Sequence, residues 1–146
     1  MKPPEIVLQL FYKGEELTLQ YQLPQAIRKR RNCISRALVT YSLLSKAGYK
    51  CGIAEFPTNY RDLGRQIIHY VCVYFRHGKS GYYFEYGNPL FYTSTTAYFR
   101  AWKHNFRWHN GDQISLTGFN GFLDLDAINR LKSVARNRGI FLLEGE

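Results

Sequence analysis

Cys33 follows Asn32 where a helical pattern begins, and no other residue is better placed for covalent chemistry. Asparagine is a good helix N-cap. A cysteine in the first turn beyond it meets unpaired backbone N–H groups and the positive end of the helix dipole, which stabilise a thiolate. Arg31 and Arg36, close in sequence, act in the same direction. The competing reading makes Cys33 a small buried residue. A nucleophile also needs an oriented base. His69 opens a strand-like run, and Glu85 is the lone acid of the aromatic run Tyr82-Tyr83-Phe84-Glu85-Tyr86. A buried carboxylate is costly unless paired. A His69–Glu85 pair removes that cost and turns the imidazole toward a thiolate. Register decides between partners: an odd hairpin turn puts His69 on the face of Glu85, an even one on that of Asn88. Glu85 is preferred because its charge otherwise has no rationale. Asn88 is the alternative, since an asparagine also fixes the imidazole of a Cys-His-Asn site.

The elements that must carry these residues follow from periodicity. Ile34, Ala37, Leu38, Tyr41, Leu44 and Ala47 recur at helical steps from Asn32, and Gly48 ends the helix with Lys46 in its last turn. Tyr49 to Phe56 is expected as a strand closed by Pro57, with a polar loop over Thr58 to Gln66. Ile67 to Phe75 is rich in β-branched and aromatic residues and pairs with Tyr82 to Tyr86 across the turn His77-Gly78-Lys79-Ser80-Gly81. Gly87-Asn88-Pro89 stops the second strand. Before the main helix, alternating residues predict a hairpin over 5–22, and Pro24 suits the start of a short basic segment. Further on, a short helix is expected over Thr95 to His104 and a strand over Gln113 to Leu116. A helix over 124–138, capped by Asp124 or Asp126, carries a stripe of Leu125, Ile128, Leu131 and Val134, and Ile140 to Leu143 reads as a terminal strand. The sum is one α+β domain over 1–146, a main helix packed on a largely antiparallel sheet.

The runs NCISRALVTYSLLSKAGYKCGIAEFP, HYVCVYF and GYYFEYGNP together resemble the core of transglutaminase-like and papain-like cysteine enzymes. The likeness covers roughly residues 30 to 90. In its helix the chain is most similar to leader peptidases of lasso-peptide biosynthesis, through Cys33, Arg36, Ala37, Leu38, Leu43, Leu44 and Gly48. The chain departs from the family where Tyr70-Val71 follows the histidine and where Glu85 or Asn88-Pro89 stands for Asp-Pro. The resemblance implies a peptidase or transferase: Cys33 attacks an amide carbonyl, His69 protonates the leaving amine, and a thioester is then resolved by water or an amine. It implies an oxyanion site at the Cys33 N–H, with Gln25, Asn32 and Arg36 as the oxyanion and substrate-binding residues. It implies no cofactor.

Other chemistry finds less support. His69, Cys72 and His77 alternate across a strand and do not converge on a metal. Cys51 and Cys72 read as inert buried thiols, and no glycine-rich phosphate loop follows a strand. His104 and His109 flank Trp102, Phe106 and Trp108, a packing cluster or substrate wall. Three scattered cysteines favour free thiols in a reducing, cytoplasmic setting. No apolar run is long enough to span a membrane. Twenty Lys and Arg against 11 Asp and Glu give a net charge of +9, which favours an acidic partner. The expected partner is a peptide or protein substrate. The alternative is a non-catalytic, basic, aromatic-rich binding module, an inhibitor or adaptor, with nucleic acid as a less favoured ligand.

Overall fold

The computed structural model describes residues 25–61, 65–85, 88–103, 107–109 and 112–137; the side chains of 25–32, 35, 65, 85, 88–89, 107–109 and 112 lie outside that description. The expected hairpin over 5–22, the terminal strand over 140–143, and His104 also lie outside it.

The first helix, α1, spans Gln25–Lys46. Its buried stripe of Cys33, Ile34, Ala37, Leu38 and Leu44 follows the three- and four-residue steps of the sequence. It stops at Gly48, whose φ of 84° lies in the left-handed region. There the Tyr49 N–H donates to the Leu44 carbonyl (2.9 Å) and the Gly48 N–H to that of Ser45 (3.0 Å), a Schellman termination. The helix does not start at Asn32. It begins at Gln25, about two turns earlier, so Asn32 is interior and is not the N-cap.

Strand β1 (Cys51–Tyr60) pairs along its whole length with β2 (Arg65–His77), from Cys51 opposite Tyr74 to Tyr60 opposite Arg65. Strand β1 continues through the expected stop at Pro57 as far as Tyr60, and β2 already begins at Arg65, within the stretch expected as a loop. Pro57 lacks an N–H, yet it lies where β1 changes partner: Ala54 and Glu55 pair on that side with β7 (Gly121–Phe122), and Thr58 to Tyr60 with β6 (Asp112–Leu116). Its carbonyl accepts from the Thr117 N–H at 2.9 Å.

β2 turns into β3 (Ser80–Glu85), and β3 into β4 (Asn88–Tyr92), where the sequence suggested a stop. With β5 (Arg107–His109), the strands form a seven-stranded antiparallel sheet of order β4-β3-β2-β1-β6-β5, β7 attaching to β1. Helix α2 (Thr95–Trp102) is capped by Ser94, whose side chain accepts from the Ala97 N–H at 3.0 Å. Helix α3 (Leu125–Asn137) is capped by Asp124, which accepts from the Ala127 N–H at 2.8 Å. Its buried stripe is Ile128, Leu131 and Ala135, while Leu125 is 66% and Val134 37% exposed, so the helix is rotated from the expected face.

The result is an α+β fold with helices on both faces of a curled sheet. On one face α1 and α3 enclose Cys33, Ile34, Ala37, Leu38, Ile53, Ile128, Leu131 and Ala135. On the other, Tyr98 and Trp102 of α2 join Ala54, Phe56, Tyr60, Val71, Val73, Tyr83, Ile114 and Leu116. Among the described residues, no helix is long and apolar enough to cross a membrane.

Candidate functional site

Strand alternation fixes where the expected catalytic residues stand. Phe56 is opposite His69 and Ile53 is opposite Cys72, so His69, Val71 and Val73 share one face while Tyr70, Cys72 and Tyr74 share the other. Cys33 packs with Ile53 and Tyr70 on the second face. His69 is fully buried on the first, where its Nδ1 lies 3.3 Å from the Tyr60 hydroxyl. Strand alternation therefore places the two side chains toward opposite faces of the sheet. The backbone register does not bring the expected pair, Cys33 and His69, onto one face.

Cys33 does not stand at the helix start where the sequence pattern placed it. It lies in the third turn of α1, where its N–H belongs to the helical ladder and is not presented to an oxyanion. Only 3% of its surface is exposed. Arg36 follows on the same helix, half-buried, and Gln25 is the first residue of the helix rather than a donor on a loop before it. Gln25 and Asn32 have side chains outside the description.

The register question has a definite backbone answer. The β2–β3 ladder runs from Cys72 opposite Phe84 to Phe75 opposite Gly81, then shifts to His77 opposite Ser80, leaving Arg76 as a bulge. The stretch between Phe75 and Gly81 is therefore odd, and Glu85 has the strand parity of His69. The β3–β4 pairing sets Asn88 directly opposite Glu85, so the two alternatives occupy a single register position. Gly81 is required at the bulge, because a Cβ there would collide with the Tyr74 carbonyl oxygen.

The remaining thiols differ in burial, Cys72 being fully buried and Cys51 half-buried. Burial pushes the Cys51 thiol up, offset in part by Ser45, whose Oγ is 3.3 Å from Sγ. Burial raises that of Cys72 well above its ordinary value, and nearby Cys51 adds to the rise. Among the described residues, no group of three His, Cys, Asp or Glu side chains could hold a metal.

One arrangement was not visible in the sequence. Tyr74 lies opposite Tyr82, and Tyr82 opposite Phe91. Their rings follow one another at 6.4 and 5.5 Å, and Tyr49 adds a fourth, 5.5 Å from Tyr74. Aromatic richness was the only signal, and it carries no register. No family model, curated protein or solved structure matches the chain.

Proposed function

We propose that this domain acts as a basic, aromatic-rich binding module for an acidic partner rather than as a thiol enzyme. The observation that carries the reading is the separation of Cys33 from His69 on opposite faces of the sheet, each enclosed among core residues of its own face. Residues with the types of a catalytic pair then serve as core. The charge of +9 supplies attraction for an anion. The test is binding of an anionic probe, polyglutamate or a single-stranded oligonucleotide, to the intact protein and to Cys33→Ala. Equal binding by both is expected. Loss of binding in a folded Cys33→Ala variant overturns the reading.

A second reading, a peptidase or transferase on a papain-like or transglutaminase-like scaffold, is favoured by a different observation. The order is helix, strand, histidine strand, then the strand carrying Glu85. Cys33 clusters with Tyr70, the neighbour of His69, whereas Leu44 clusters with Cys72 and Phe84. The cysteine end of α1 therefore lies at the histidine end of β2, as that chemistry requires. In this reading Cys33 attacks a peptide amide, His69 protonates the amine, and both must reach one face. Turnover of a peptide amide that is abolished in Cys33→Ala would establish it.

A further inference from the structure

The last turn of α1 covers the row formed by Cys72 and Phe84, through Leu44. The next row outward is Tyr74, Tyr82 and Phe91, directly opposite one another on three adjacent strands. It emerges from beneath the helix end. The Schellman turn carries the chain out of α1 so that Tyr49 meets Tyr74 edge-on. Tyr49 is 39% and Phe91 46% exposed, and the rings between them are half-buried. Four aromatic rings thus run across one end of the sheet.

Cations flank this row. Lys46 and Lys50 are exposed on either side of Tyr49, and Lys79 is exposed at the tip of the β2–β3 hairpin. The backbone holds these flanks together, with the Phe75 N–H donating to the Lys50 carbonyl at 3.0 Å. No carboxylate occurs in the sequence between Glu16 and Glu55, or between Asp62 and Glu85. The stretches that carry Tyr49, Tyr74 and Tyr82 therefore bring positive charge to this row without a carboxylate of their own.

We infer that this row is a stacking platform for single-stranded nucleic acid, the four rings taking bases while the flanking lysines take phosphates. The inference rests on the binding-module reading and names its partner. Every base has a π-face, so adjacent rings accept successive bases without sequence readout, and flanking cations follow the backbone. A duplex keeps its bases stacked within itself and cannot use the rings. An acidic peptide can use the charges but gains little from a row of four aromatics.

Fluorescence anisotropy with labelled oligouridylate, oligothymidylate, a matched duplex and polyglutamate tests this on the full chain. Single strands should bind more tightly than the duplex, and affinity should fall steeply with salt. Phe91→Ala and Tyr49→Ala, both at exposed positions, should each weaken single-strand binding about tenfold. Tyr82→Phe should bind like the parent and Tyr82→Ala should not. The double variant Lys50→Gln, Lys79→Gln should lower the single-strand salt slope by about 1.4. Duplex binding as tight as single-strand binding, or indifference to the loss of Phe91 and Tyr49 in folded variants, overturns the platform. Binding of polyglutamate without oligonucleotide overturns it and leaves the module reading standing. If neither anion binds, both fall.

Discussion

Cys33 is a buried member of the core cluster that Ile34, Ala37, Leu38, Ile53 and the α3 residues Ile128, Leu131 and Ala135 form between two helices and the sheet. Cys33→Ala should therefore destabilise the fold by about 1–2 kcal/mol, read from denaturant midpoints, while leaving binding unchanged. A purely catalytic thiol would show the opposite pattern. Cys72 allows a pH test whose sign is fixed. Its thiol is held protonated in the fold above the ordinary value of 9.0, chiefly by burial. Unfolding lets it ionise at that ordinary value, so the unfolded chain loses its proton first and alkali favours unfolding. Stability should be unaffected well below pH 9.0 and fall above it, by at most about 1.4 kcal/mol per pH unit for this group. Denaturation of the parent and of Cys72→Ala on either side of that pH should show a smaller alkaline loss in the variant. The residue types at 33 and 69 could be read as a catalytic pair, but sequence could not say which face of the sheet each would join. That depends on the β1–β2 register, set by contacts far apart in the chain.

Among the elements, α1 was the most legible, because the steps from Cys33 to Leu44 repeat over three turns and Gly48 ends them. Its beginning was not legible. Asn32 has the chemistry of a cap, yet the helical ladder continues through the basic run to Gln25. Pro57 misled in the same way: a proline reads as a strand end, but the missing N–H falls where β1 passes from β7 to β6. The short strands β5 and β7 have too few residues to show a period of two. Local devices at element ends give direct tests. Ser94→Ala removes the acceptor for the Ala97 N–H and should cost about 1 kcal/mol of stability by thermal or chemical denaturation. Gly81→Ala forces a Cβ onto the Tyr74 carbonyl and should shift the hairpin or cost more, about 2 kcal/mol or above. Near-UV circular dichroism from the Tyr74–Tyr82 pair would report such a shift.

For the whole molecule, the sheet is the divider. It carries a helix pair on one face and α2 on the other, and it separates the two groups that the sequence suggested would work together. The α+β class and the antiparallel sheet followed from patterning alone. The aromatic row did not, because Tyr74, Tyr82 and Phe91 become neighbours only once two hairpins have closed in register. The central claim, that Cys33 is a core residue split from His69, can be measured directly. Iodoacetamide labelling of the folded protein at neutral pH, followed at each cysteine by mass spectrometry, compares the three free thiols. Half-buried Cys51 should be modified first, and Cys33 and Cys72 only as the protein unfolds. Rapid modification of Cys33 ahead of both others in the folded protein would contradict the account and restore the nucleophile.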